Sequence, residues 1–296
     1  MIIRMEEIKQ IKLEDKNYPR LLKKISNPPR ILYYIGALLD DELPFGVVGT
    51  RRCSPYGKQV TSVIVSDLVD AGFTIVSGLA PGIDTIAHKI TVEKNKRTIA
   101  VLGTGLDQDS IYPKENIELA RKIVELGGCL ISEYPPGTKG ANFTFPQRNR
   151  IISGLSLAVL ITEAKEKSGA LITAECAFSQ RRKVFAVPGP VYSSTSAGPN
   201  NLIKNGAKLV TSANDILKEF SLFNLKNRTK SPILSATPQD KKEYLILTAL
   251  NQEPLSIDKI IEKTKLDSSI VSSTLVLMEI SGKIRDLGGG IYALSR

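Results

Sequence analysis

The chain is poor in the side chains that most often carry metal or nucleophilic chemistry. It has one histidine, His88, and three cysteines in 296 residues. A single imidazole is too little material for a histidine-based metal site or a Ser-His-Asp triad. Cys53, Cys129 and Cys176 are widely separated. They match neither a disulfide framework nor a zinc-ligand spacing, which fits a reducing, cytoplasmic setting. No apolar run approaches the roughly 18 residues that would span a bilayer. The opening MIIRMEEIKQIKLEDK carries acids early and has no apolar h-region, so neither a membrane span nor a secretory leader is expected. GxxxxGK[ST] does not occur, and Gly103-x-Gly105 is followed by Gln108 where a dinucleotide-binding turn needs its third glycine. These absences argue against a P-loop ATPase and a dehydrogenase. No metal and no cofactor is expected.

One further absence is local. Between Glu133 and Glu163 the chain has no acidic residue, yet the stretch holds Lys139, Phe143, Phe145, Arg148, Asn149 and Arg150. Cations and amide donors suit phosphate oxygens, and exposed rings suit stacking on unpaired bases. The run KGANFTFPQRNRIISGLS (139–156) therefore reads either as a groove for a single-stranded nucleic acid or as a basic loop packed on its own domain. Ile151, Ile152 and Leu155 read as packing, which confines the functional part to Lys139–Arg150.

What is present is ordinary for a soluble globular protein: 42% hydrophobic and 24% charged residues. The length suggests two domains. The net charge of +10 is unevenly placed, because residues 239–296 hold eight cations and eight acids and the whole excess lies before them. A polyanion would then bind the long N-terminal part.

Short runs rich in Val and Ile, FGVVG (45–49), FTIVSG (73–78), TIAVLG (98–103), CLIS (129–132), LAVLIT (157–162) and VFAVP (184–188), read as buried strands. Between them Tyr56–Ala71, Ile83–Glu93, Lys114–Leu126 and Gly169–Gln180 read as helices. This alternation predicts an α/β fold, a mostly parallel sheet with helices on both faces. Pro28-Pro29 followed by ILYY (31–34) suggests a turn feeding an extra edge strand. Residues 221–238 lack periodicity and contain two prolines, which reads as a linker. Beyond it, Lys241–Leu250, Ser256–Lys263 and Ser268–Ile280 read as helices and KIRDLGGGIYALS (283–295) as a hairpin turning at Gly288-Gly289-Gly290, together a small winged-helix-like domain. The expected division is 1–220, with an N-terminal extension 1–44, then the linker, then 239–296.

In open parallel sheets ligands bind beyond the carboxyl ends of the strands. Gly49-Thr50-Arg51, Ser77-Gly78, Gly103-Thr104-Gly105 and Ser168-Gly169 all fall there. Glycine admits close backbone approach, free helix N-termini favour anions, and Arg51 adds a fixed charge able to grip a phosphate. His88, in GIDTIAH (82–88), fits a structural hydrogen-bonder better than a catalyst. Asp84 and Glu133 lie near strand ends without forming a catalytic constellation, so a non-enzymatic protein is expected.

Eight motifs in order carry a family resemblance: GTRRCSPYG (49–57), SGLAPGIDTIAH (77–88), GTGLDQDSIYPKEN (103–116), SEYPPGT (132–138), FPQRNRIISGLS (145–156), EAKEKSGALITAECA (163–177), VFAVPGP (184–190) and GPNNLIKNGA (198–207). Over residues 18–220 the chain resembles the DNA-processing protein A (DprA, or Smf) family. The resemblance implies an extended Rossmann-like domain that binds single-stranded DNA, protects incoming DNA in natural transformation, helps load the RecA recombinase, and dimerises through that domain. Carried over by motif, the phosphate pocket falls on Gly49, Thr50 and Arg51, with Ser168 and Gly169 lining it. The DNA-contacting stretch falls on Lys139, Phe145, Arg148, Asn149 and Arg150. Many members carry a SAM-like helical domain before the YPRLL segment. Here seventeen residues precede Tyr18, too few for one, and functions resting on it are not expected. The third C-terminal helix, within 267–281, has no Lys or Arg, which favours a structural or protein-contact role over duplex readout. The sheet and SGALITAE (168–175) also resemble the lysine-decarboxylase-like nucleotide phosphoribohydrolases, but those carry PGGxGT where this chain has KSGALIT (167–173). A structural adaptor acting through the winged domain is a third reading.

Overall fold

The expected alternation of strands and helices is present in a computed structural model, which describes residues 7–220, 238–250, 253–280 and 283–294. The described residues form two compact units, 7–220 and 238–294. The segment read as a linker, 221–238, lies outside the described residues except for Pro238.

The larger unit begins with β1 (Lys9–Lys12), α1 (Arg20–Lys23), β2 (Ile31–Gly36) and β3 (Leu43–Val48). It continues through α2 (Pro55–Asp70), β4 (Phe73–Ser77), α3 (Ile83–Glu93), β5 (Thr98–Leu102), a single 3₁₀ turn, α4 (Ile117–Glu125) and β6 (Cys129–Ser132). Then follow α5 (Thr144–Leu155), β7 (Ala158–Ile161), α6 (Gly169–Ser179), β8 (Lys183–Ala186), α7 (Ala197–Lys204), β9 (Lys208–Leu209) and α8 (Ala213–Glu219). The nine strands form one sheet in the order β1-β2-β6-β5-β4-β3-β7-β8-β9. Pairing is parallel from β6 to β9 and antiparallel at β2–β6 and β1–β2.

Side chains two apart on a strand share a face. Phe45, Val47, Ile75 and Leu160 pack with Ile64 and Leu68 of α2 and Ile83 and Ala87 of α3. Val48, Val76, Val101 and Ile161 pack on the opposite face with Ile152 and Leu155 of α5 and Ala170 and Ala174 of α6. Helices therefore cover both faces, and the buried strands lose their alternation and read as continuous apolar runs.

Two expectations need correction. The strand after Pro28-Pro29 is not at the edge, because β1 pairs outside it. Within KQIK only Ile11 is buried, so β1 shows no apolar pattern and exists by pairing with β2. The basic stretch 139–156 is not a loop throughout, since residues 144–155 form α5. Pro146 lies in its first turn, where its missing N–H has no helical partner to lose.

The smaller unit contains α9 (Pro238–Leu250), β10 (Leu255–Ser256), α10 (Ile257–Thr264), α11 (Ser268–Ile280), β11 (Ile284–Asp286) and β12 (Ile291–Leu294). Ile246, Ile260, Val271, Leu275, Met278 and Ile284 make its core. The hairpin turns at Gly288, Gly289 and Gly290, all at positive φ (95°, 67° and 72°) where glycine alone is unstrained. With the three helices this is a winged helix. The two-residue β10, joined to β12, was not legible in the sequence. Among the described residues no helix is long and apolar enough to cross a membrane.

Candidate nucleic-acid interface

The strand order places a crevice before any side chain is considered. From β3 the chain moves to β4 on one side, and it later returns to place β7 on the other. Loops leaving a sheet at such a reversal diverge and leave room between them. A cavity of about 960 Å³ opens there, lined by residues 49–52 after β3 and by Lys165, Lys167, Ser168 and Gly169 after β7. Its far wall is α5 together with Lys139, Tyr112 and Lys114. Seven cationic side chains (Arg51, Arg52, Lys114, Lys139, Arg148, Lys165 and Lys167) line it against two carboxylates, Asp84 and Asp109. The imbalance concentrates positive potential in a concave site.

Most of the residues expected from the sequence meet here, though several act differently than their type suggested. A Cβ on Gly49 would come within 2.5 Å of Ile83 Cγ1 and 2.9 Å of Glu163 O, so glycine there admits the first turn of α3 and not a ligand. Thr50 is buried; its N–H donates to Glu163 O (2.7 Å), and Arg52 N–H donates to its Oγ1 (3.3 Å). These bonds hold the turn that projects Arg51 and Arg52, both exposed, from the end of β3. The Arg51 guanidinium stands 5.4 Å from the centre of the Phe145 ring. Phe145 is half-buried against Gly103 and Gly140, with the Tyr112 ring 5.7 Å away. Lys139 is exposed, and its Nζ donates to Asp109 O (2.6 Å).

Ser168 caps α6, accepting from Ala170 N–H (3.4 Å), and nothing lies within 4 Å of where a Cβ on Gly169 would stand. The start of an eleven-residue helix therefore faces the cavity, its positive end toward it, although Ala170 N–H is capped by Ser168 and Leu171 N–H donates to Ser168 O (3.0 Å). Asn149 Nδ2 donates to Gly169 O (3.0 Å), so this amide ties α5 to the start of α6 while lining the cavity.

Arg148 and Arg150 part company. Residues two apart on a helix point to opposite sides. Arg150 donates to Glu133 Oε2 (3.0 Å) and Oε1 (2.5 Å) and does not line the cavity. The structure thus does not bring Arg150 to the site. Arg148 reaches the cavity wall but is 4% exposed, and it donates to Gly78 O (2.7 Å) and to Val101 O. Asp84 stands across Gly78 and accepts its N–H (3.0 Å). A Cβ on Gly78 would lie 2.5 Å from Arg148 Nη1 and 2.6 Å from Asp84 Oδ2. Burial lowers Arg148 to about 10 despite the pull of Asp84, and burial raises Asp84 to about 6 despite Arg148 and the surrounding N–H groups. Arg148 is a strut under the cavity floor. This also explains why two of the four small-residue strand ends do not line the cavity: Arg148 covers Ser77-Gly78, and Phe145 covers Gly103.

Five cationic or aromatic lining residues escaped the sequence reading: Arg52, Tyr112, Lys114, Lys165 and Lys167. A signal existed for the last two, cations directly ahead of the helix cap Ser168. Glu163, which bounds the acid-free stretch, is buried and accepts from Ser54 N–H (2.9 Å), Ser54 Oγ (2.6 Å) and Thr195 Oγ1 (2.9 Å). It fastens the loops at the rim to one another. Among the described residues no His, Cys, Asp and Glu cluster could hold a metal ion.

His88 is fully buried away from the cavity, its Nδ1 2.9 Å from Thr98 Oγ1. Thr98 spends its one hydroxyl proton on Ile75 O (2.7 Å), so Nδ1 carries the proton that joins the two. Burial pushes its pKa down to about 3 from 6.5, and the folded protein keeps this ring neutral. The sign follows: the stability is fully present above pH 6.5 and is lost as the pH falls toward 3. Asp84, raised on folding, has the opposite sign between about 4 and 6, so the test must be differential. Between pH 7 and pH 4 the melting temperature of the parent is expected to fall more than that of His88→Gln. Parallel curves would remove His88 from the acid response.

The sequence profile of the family described as DNA recombination-mediator protein A matches residues 9–221, and that of the DprA winged helix domain matches residues 230–290. The chain is 40% identical to Protein Smf of Synechocystis sp. over 94% of its own length and 78% of that protein. It is 44% identical to the DNA processing protein DprA of Bacillus subtilis, covering 75% of each. Its structure is similar to DprA from Streptococcus pneumoniae (TM-score 0.67, 41% identity, 73% of this chain and 75% of that one). It is also similar to DNA processing protein A from Helicobacter pylori, a structure described for its single-stranded DNA binding mode (TM-score 0.65, 31% identity, 75% and 97%).

Proposed function

This chain belongs to the DNA recombination-mediator protein A family, and we propose that it holds single-stranded DNA in the basic cavity between the β3 and β7 loops. In this role it protects incoming DNA in natural transformation and helps load the RecA recombinase onto the strand. It acts without catalysis, in the cytoplasm, as a homodimer formed through the larger, Rossmann-like unit. The observation that carries the reading is the cavity itself: seven cations against two carboxylates, with Tyr112 and Phe145 in its wall. The cations supply attraction for phosphates whatever the sequence, and the rings supply a surface for bases. A duplex hides the faces of its bases, so only a single strand can use both. The winged unit reads the duplex poorly on this view, since α11 carries no Lys or Arg; it serves a structural or protein-contact role.

Titration of fluorescent oligothymidylate, a mixed-sequence strand and a duplex of equal length at stepped salt tests the reading. The two single strands should bind alike and more tightly than the duplex. Their log affinity should fall with log salt at about 0.7 per phosphate held. Equal affinity for the duplex, or binding indifferent to salt, would overturn it.

A further inference from the structure

On the β7 side the cavity opens toward a segment that the reading above does not use. Lys165 and Lys167 stand exposed at that rim, and Glu166 between them does not line the cavity. Immediately before them, Ala164 N–H donates to Thr195 O (2.8 Å) and Glu163 Oε1 accepts from Thr195 Oγ1 (2.9 Å). The turn that follows β8 at the same edge of the sheet is therefore bonded alongside the two lysines. It is itself held firmly. Gly189 and Asn200 exchange two hydrogen bonds (3.2 and 3.0 Å), Tyr56 OH donates to Pro188 O (2.7 Å), and Ser193 N–H closes on Pro190 O (3.0 Å). What this braced turn presents to solvent is Val191, 80% exposed, and Tyr192, 100% exposed.

A ring with no packing partner contributes nothing to the core, and holding it on a braced turn preorganises it as a platform. Base stacking needs such a free π-face, and a strand between it and the cavity passes two cations suited to its phosphates. We propose that a single strand leaving the cavity crosses Lys165 and Lys167 and stacks a base on Tyr192, which makes the β8–α7 turn a second contact point. The inference rests on the single-strand reading and extends it to a residue outside the cavity.

The test compares oligothymidylates of about 4 and about 16 nucleotides, the two ends of the range of single-strand site sizes. Tyr192→Ala should weaken the long strand about tenfold and leave the short one unchanged, while Tyr192→Phe should bind both as the parent does. Because Tyr192 is fully exposed, neither variant threatens folding. If the parent binds both lengths and Tyr192→Ala matches it on the long strand, the second contact point is wrong and the cavity stands. Equal weakening of both lengths would place Tyr192 in the cavity site, and the downstream platform would be wrong. If the parent binds neither length, the single-strand reading fails and this inference fails with it.

Discussion

Replacing Arg51 and Lys139 together by alanine is expected to lower affinity for oligothymidylate on the order of 25-fold at about 0.1 M salt. The figure follows from counterion release. Each phosphate neutralised on a single strand frees about 0.7 ion, worth roughly fivefold at about 0.1 M salt, and two contacts multiply. The salt slope should accordingly shrink by about 1.4, so parent and variant converge at high salt. Folding should survive, since both side chains are exposed. Arg51 gives up only its contact with the half-buried Phe145 ring, and Lys139 a single bond to Asp109 O. A variant that melts like the parent and binds with an unchanged slope would remove this cavity as the DNA site.

The second large effect concerns a residue whose type suggests DNA and whose position says otherwise. Arg148→Met should destabilise the larger unit by about 3–5 kcal/mol, the range for breaking a buried charge arrangement by removing one member. Asp84 would lose the cation opposite it, and the carbonyls of Gly78 and Val101 would lose their donor inside the protein. In urea the midpoint should fall with m unchanged. Arg150→Met should cost less, because its pair with Glu133 is reached by solvent, and should leave DNA affinity within about twofold because it is off the cavity. If Arg148→Met unfolded at the parent's midpoint yet lost DNA, the strut assignment would be wrong and Arg148 would be a phosphate contact.

The strands were legible because burial on both faces writes itself into composition: β4 and β5 are buried at every position, and no polar alternation interrupts them. The helix α3 was legible to the residue from its apolar spacing, and the glycine hairpin from turn chemistry. The strand β1 was not, for with one buried residue it owes its existence to its partner. Nor was α5, whose Pro146 and Phe145, with Phe143 just ahead of it, look like a loop until α1, α6 and the sheet are seen to bury its apolar side. Once it is a helix, the separation of Arg148 from Arg150 follows from its pitch alone. Cations on the opposite rim, Lys165 and Lys167, were visible as residues, but not as partners of Lys139, which lies some way back in the chain.

By itself the sequence determined the layered α/β unit, the winged unit, the family, and that a basic stretch with rings accompanies glycine- and serine-marked strand ends. These are local properties: period, composition and turn chemistry act over a few residues, and each is written where it acts. Only the tertiary structure decided which cations meet solvent. Arg51 and Lys139 do, while Arg148 is held by carbonyls from β5 and the loop after β4, and Arg150 by a carboxylate after β6. Whether a charge is free to bind DNA depends on acceptors supplied by distant segments, and no reading of its neighbours in the chain can count those.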